Sequence, residues 1–255
     1  MSASGDGGRR GPGSSKKGGP NKGGAKKGHS GRGRKPAARL KTAKGRSVSS
    51  TRWLQRQLSD PYVAEARALG YRSRAAFKLA QMDDKYGFLR RGARIVDLGA
   101  APGGWCQVAI ERCGEQAQVI AVDLVEVEPL PGSICLIGDF HDAETQARIA
   151  AALDGPADVV LSDMAAPASG HTATDHLRIM ALAEAAFDFA EETLAPGGAF
   201  VVKLLQGGAE ADLLQRLKRA FAKVRHVKPA ASRDDSAELY LVATDFRGGS
   251  GGDPT

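Results

Sequence analysis

Acidic side chains are almost missing from the first 50 residues, where Asp6 stands alone against 14 lysines and arginines. The rest of the chain reverses the balance, with 28 acids against 22 bases, so the formal net charge of +7 is carried by one end of the molecule. Large apolar residues are equally scarce there. "GDGGRRGPGSSKKGGPNKGGAKKGHSGRGRKPAARLKTAKGR" cannot bury enough surface to offset the entropy of ordering. A disordered basic tail is therefore expected over 1–50, with a second short tail over 247–255. A flexible cationic arm binds polyphosphates by releasing counterions, whatever the base sequence. RNA contact is the expectation for the tail, with a plain solvated linker as the alternative. No run of about 18 apolar residues is present, which argues against a membrane-spanning helix. The start also lacks the apolar stretch of a secretory signal and the large apolar residues of an amphipathic transit helix. A cytoplasmic location is expected.

Cysteine is rare. Cys106, Cys113 and Cys135 form no C-x-x-C pair and are odd in number, which speaks against a disulfide framework and a cysteine zinc site. They read as buried thiols in a reducing compartment. The five histidines are scattered, and His141, His171 and His176 are expected on loops or helix starts. No metal site is expected.

What is present is alternation. Apolar, β-branched runs occur at 93–99, 118–124, 133–139, 157–163, 198–205, 223–229 and 238–244, and helical patterns lie at 73–86, 103–114, 143–153, 174–194 and 209–221. Near-continuous apolar strands separated by helices predict an α/β domain over 51–246, built on a mostly parallel seven-stranded sheet with helices on both faces. Pro196-Gly197-Gly198 is read as the stop between the longest helix and the next strand. The last two strands are joined by only 229–237, too short for a parallel crossover, so one strand must run antiparallel. Nothing resembles a dimer-forming apolar stripe, and a monomer is expected.

The first strand runs into "IVDLGAAPGGW" (95–105). Glycines at this point let backbone approach a ligand and aim helix-start N–H groups at it. The strict dinucleotide spacing G-x-G-x-x-G is missing, so a shorter, carboxylate-bearing nucleoside fits better than a nicotinamide dinucleotide. Asp123 ends the second strand, where an acid accepts hydrogen bonds from both ribose hydroxyls of an adenosine. Asp139, after the third, is placed to reach an adenine amino group. A turn built for packing, with acids that only cap helices, is the alternative.

Asp163 ends the strand "ADVVLSD", and Lys203 lies inside the apolar run "AFVVKLLQGG", a costly place for a cation unless it is paired or functional. Glu238 begins the last strand. If that strand is antiparallel, its start lies on the edge where the parallel strands end. Asp163, Lys203 and Glu238 then converge on one rim, with Lys78 above it from the preceding helix.

"SRAAFKL", "DLGAAPGGW", "LSDMAAP", "VVKLLQG" and "SRDDSAELYLVA", in this order, resemble the FtsJ-type ribosomal RNA large subunit methyltransferase E family over about residues 50–246. The resemblance implies a Rossmann-like S-adenosylmethionine-dependent methyltransferase fold and a catalytic tetrad at Lys78, Asp163, Lys203 and Glu238. It implies S-adenosyl-L-methionine contacts at Gly103, Trp105, Asp123, Asp139 and Asp163. It also implies the substrate, the ribose 2′-oxygen of a uridine in the aminoacyl-tRNA-binding loop of 23S rRNA in the large ribosomal subunit. The basic tail lies outside the resemblance.

Two roles for Lys203 stay open. A free lysine is a weak base at neutral pH. Burial beside a second cation favours the neutral amine, whereas two carboxylates favour the ammonium. Lys203 is either the base that takes the hydroxyl proton or a cation that orients the hydroxyl and stabilises the developing alkoxide. Trp105 is read equally as core packing and as ligand contact. Arg72 and Arg74, beside Tyr71, are read equally as an RNA grip and as a solvated face. Competing functions are a 2′-O-methyltransferase of tRNA or a cap, a non-catalytic ribosome-assembly factor that binds RNA, and, more remotely, a nicotinamide dehydrogenase.

Overall fold

The computed structural model describes residues 59–167, 169–207 and 210–248. The basic tail, the boundary of the domain near residue 50 and residues 249–255 lie outside the described residues; Arg247, placed in the second tail by the sequence, is instead anchored by donating to the carbonyls of Lys218, Arg219 and Phe221. Seven strands appear in the order expected: β1 (Arg94–Leu98), β2 (Gln118–Asp123), β3 (Ser133–Ile137), β4 (Ala157–Ser162), β5 (Leu194–Leu205), β6 (Phe221–Val227) and β7 (Glu238–Phe246). They form one sheet in spatial order β3-β2-β1-β4-β5-β7-β6. The first five are mutually parallel, and β7 runs antiparallel to both β5 and β6. The fold is Rossmann-like, with order reversing at β1/β4, the point where such sheets open a crevice at their carboxyl ends.

Among the described residues six helices flank the sheet: α1 (Pro61–Leu69), α2 (Ala75–Tyr86), α3 (Gly104–Cys113), α4 (Ala143–Leu153), α5 (Thr172–Thr193) and α6 (Ala211–Ala220). Successive strand residues point to opposite faces, and both faces are covered. Ile95, Val119 and Ala121 pack with Leu79 and Met82 of α2 and Val108 of α3. Val96, Ile120 and Val122 pack with Ile149 of α4, Phe187 of α5 and Leu217 of α6. This two-sided burial explains why the strands read as continuous apolar runs. Among the described residues no helix is long and apolar enough to cross a membrane.

Two local readings need amendment. The helix α1 was not anticipated, because only its Ala66 is buried and its periodicity is weak. Its signal was nevertheless present: Asp60 accepts the Tyr62 N–H as N-cap and Pro61 opens the first turn. The stop at 196–198 is also displaced. The last long helix ends at Thr193, β5 begins at Leu194, and Pro196-Gly197 fall where the β4–β5 register shifts.

Candidate active site

The antiparallel ladder sets Lys203 of β5 directly opposite Tyr240 of β7 and brings Glu238 opposite Leu205. Side chains two residues apart on a strand share a face, so Glu238 and Tyr240 project together toward the carboxyl edge. Lys203 Nζ lies 3.1 Å from the Asp163 carboxylate as an ion pair and donates to the Asp163 carbonyl at 2.5 Å. Lys78, 8% exposed, donates to Glu238 and, at 3.1 Å, to the Tyr240 hydroxyl. The four residues proposed from the sequence thus meet as two ion pairs.

Tyr240 joins them. It is fully buried, and its hydroxyl lies within hydrogen-bond reach of Asp163 at 2.8 Å and of Glu238. One phenolic proton serves one carboxylate at a time, so the two acids compete for it. Burial, then the charges of Asp163 and Glu238, push the Tyr240 hydroxyl well above its ordinary pKa. It stays a neutral donor. The sequence reading passed over Tyr240, although the two-residue spacing from Glu238 was visible.

Asp163 also lines a cavity of about 420 Å³ at the β1/β4 crevice, whose walls include Gly99, Ala101, Asp123 and Asp139. Asp123 accepts the Ala101 N–H at 2.9 Å and the Val125 N–H at 3.1 Å, which fixes its carboxylate on the wall. Asp139 accepts the His141 N–H at 3.0 Å and contacts the His141 ring at 2.6 Å, interactions that hold it below the usual carboxylate range. Both bonds use Oδ1, leaving Oδ2 for a ligand. A smaller cavity of about 30 Å³ shares Gly99, Ala101 and Asp163 and adds Asp97 and Trp105. Trp105 is 3% exposed and donates its indole N–H to the Ala75 carbonyl, so it packs in the core and shows the ligand space one edge.

Gly103 lines neither cavity. It adopts φ +103° and is covered by the Arg72 side chain. Gly99, at φ +76°, is the glycine that borders both, and a Cβ there would lie 2.6 Å from Met164 Cγ. We expect Gly99→Ala to destabilise the protein by about 2–4 kcal/mol, combining left-handed strain with overpacking. Cofactor affinity should fall with it. Thermal melting and titration with S-adenosylhomocysteine check both, and an unchanged melting temperature would refute the steric argument.

Asp97 is the least expected feature. It is 1% exposed, its Oδ2 accepts the Cys106 S–H at 3.1 Å, and its Oδ1 has no hydrogen-bond partner among the described residues. Burial, opposed in part by the Cys106 hydrogen bond and reinforced by the charges of Asp163 and Asp123, pushes its carboxyl up to about 7. A buried carboxylate without a counter-charge is costly. Asp123, Asp139 and Asp163 therefore border the nucleoside-sized space and Asp97 the small cavity beside it, with Lys203 as the cation paired to Asp163. This donor set fits a nucleoside that carries positive charge, as the cofactor implied by the resemblance does with its sulfonium and ammonium groups.

The basic-aromatic cluster is divided. Arg72 donates to the carbonyls of Pro102, Glu128 and Pro129 at 3.2, 2.7 and 2.9 Å, tying the loop after β2 to the glycine turn. Tyr71 donates to Glu111 at 2.6 Å. Both are committed within the chain. Arg74 faces the other way, toward the loop before β7.

Residues 71–246 match the model of the FtsJ-like methyltransferase family. A protein of Acidiphilium cryptum named ribosomal RNA large subunit methyltransferase E is 60% identical over 211 residues, covering 83% of this chain and 93% of its own. The protein of the same name from Paramagnetospirillum magneticum is 58% identical over 217 residues, covering 83% and 89%. Among solved structures, a ribosomal RNA methyltransferase from Plasmodium falciparum superposes with a TM-score of 0.63 at 33% identity, over 70% of this chain and all of that one. With the matched segment running from the turn before α2 to the last strand, the chain belongs to the FtsJ-like methyltransferase family.

Proposed function

We propose that this chain transfers the methyl group of S-adenosylmethionine to the ribose 2′-oxygen of a uridine in the aminoacyl-tRNA-binding loop of 23S rRNA, within the large ribosomal subunit. The observation that carries the chemistry is the Lys203–Asp163 pair, placed where a nucleoside cavity meets the Lys78–Glu238 pair. The names and high identity of the relatives support a large-subunit RNA as acceptor. The uridine and its loop rest on the motif resemblance.

When bound, the sulfonium cofactor supplies an activated methyl group. Asp123 and Asp139 would hold the nucleoside, and Asp97 with Asp163 would face its positive charge. Transfer needs the acceptor oxygen in line with the methyl, and orientation alone supplies a large part of such accelerations. Lys203 donates one hydrogen bond to the Asp163 carbonyl and pairs with its carboxylate, which leaves an N–H for the acceptor hydroxyl. A cation fixed in this way stabilises negative charge as it develops on the 2′-oxygen. Lys78, Glu238 and Tyr240 hold Asp163 and the rim in register.

The direct test is incubation with radiolabelled S-adenosylmethionine and large subunits from cells lacking the gene, followed by mapping of 2′-O-methyl nucleosides. Label in a single ribose-methylated uridine of 23S rRNA is expected. Label only in tRNA or capped RNA would overturn the substrate, and cofactor binding without label in any RNA would favour an assembly factor.

A further inference from the structure

A polar group discriminates between ligands best when it is held in place before they arrive. Asp139 offers an acceptor to a purine 6-amino group, yet its carboxylate stands half-exposed on the cavity wall, where the terminal torsion of such a side chain is soft. We propose that His141 locks this torsion and so makes the site select a 6-amino purine over a 6-oxo purine, an inference that rests on the S-adenosylmethionine reading above. His141 lies outside the contacts that the family resemblance implies.

The backbone beneath the carboxylate is already fixed. The Gly138 N–H donates to the Asp123 carbonyl at 3.0 Å, tying the residue before Asp139 to the end of β2, and a Cβ at Gly138 would collide with Thr145 of α4. The Asp142 N–H closes a turn onto the Asp139 carbonyl at 3.0 Å, and the Gln146 side chain donates to the Phe140 carbonyl at 3.0 Å. What remains free to turn is the carboxylate. The His141 backbone N–H reaches Oδ1 at 3.0 Å, but one hydrogen bond alone lets Oδ2 swing about it. His141 Nδ1 adds a second contact to the same oxygen at 2.6 Å. Oδ2 is left without a hydrogen bond among the described residues, facing a nucleoside-sized cavity that His141 also lines.

The imidazole is anchored in turn. Its centroid lies 4.0 Å from that of the Phe140 ring, and buried Phe140 meets Phe189 of α5 edge-on at 6.4 Å. Both the neutral Nδ1–H tautomer and the imidazolium present the donor that Asp139 needs. A half-exposed pair of this kind adds little to stability, so its effect falls on orientation. A 6-amino purine donates to a carboxylate oxygen, whereas a 6-oxo purine turns an acceptor toward it. Against a fixed Oδ2 the oxo group meets unrelieved repulsion, which a freely turning carboxylate would escape. Locking the acceptor therefore widens the difference between the two ligands.

The experiment titrates the full chain calorimetrically with S-adenosylhomocysteine and with S-inosylhomocysteine, its 6-oxo counterpart. Wild type should favour the adenine compound by about 100-fold or more, as a site built around a ligand donor does. His141→Ala should cut that preference by at least about fivefold, part of the worth of a hydrogen bond to a charged group. Its melting temperature without ligand should stay within about 3 °C of wild type. His141→Asn, whose amide nitrogen can stand where Nδ1 does, should restore the preference. A smaller drop with alanine, or an asparagine variant that behaves like alanine, would overturn the role of His141 while leaving the methyltransferase reading intact. Equal binding of both compounds by wild type would remove Asp139 as the reader of the base, and this inference with it. Binding of neither would instead remove the cofactor reading itself.

Discussion

Lys203→Ala is expected to lower the single-turnover methylation rate by roughly 10²–10⁴-fold, the range for loss of a positioned acid–base group or charge stabiliser. The fold should survive, because Lys203 is partly exposed at the sheet edge and Asp163 keeps the Tyr240 hydroxyl as a donor. Removing a cation beside a positively charged cofactor does not repel it, so cofactor affinity should hold or rise. Lys203→Arg separates the two roles left open by sequence. An arginine keeps the charge but cannot take a proton near neutral pH. If Lys203 acts by orientation and charge, the arginine variant should retain a measurable fraction of activity and the wild-type pH profile. If it acts as a base, arginine should be as inactive as alanine. A Lys203→Ala rate within tenfold of wild type would exclude both roles.

Asp97→Asn should change how stability depends on pH. Folding raises the Asp97 carboxyl from 3.8 to about 7, through burial first. The folded chain therefore binds this proton more tightly than the unfolded chain. The contribution is fully present below pH about 4, is lost as pH climbs to about 7, and is constant above, a loss on the order of 4 kcal/mol. Asparagine cannot ionise and removes this dependence. Whatever constant offset the buried amide introduces, the melting temperature of Asp97→Asn relative to wild type should rise by roughly 10 °C between pH 4.5 and pH 8, measured without cofactor. The variant should also bind S-adenosylmethionine at least about tenfold more weakly, since a charge-to-charge contact is lost. Melting curves that shift in parallel across this range would show that folding does not raise the Asp97 pKa.

Much of the architecture was readable because it is written in local periodicity. Continuous apolar strands follow from burial on both faces, and the short link at 229–237 forces the reversed strand. That reversal alone places Glu238 on the edge shared by Asp163 and Lys203. Motif resemblance supplied the candidate tetrad and the candidate cofactor contacts. Local pattern failed where a residue's meaning depends on what lies across from it. Arg72 and Arg74 are near-neighbours in a basic segment, yet one is spent on backbone carbonyls and the other on a carboxylate that it shares with Arg233. Gly99 and Gly103 both read as ligand glycines, but Arg72 covers the second and the first borders both cavities.

The sequence by itself determined the strand and helix series, the reversed final strand, the glycine turn and the family, because each rests on hydrophobic period, loop length or contiguous motifs. Only the tertiary structure decided the strand order, the placement of Tyr240 between two ion pairs, the unpartnered Asp97 oxygen and the shared Asp60 carboxylate. These depend on register and on contacts between residues up to 173 positions apart, and the energy of a buried charge is set by such partners rather than by its neighbours in the chain.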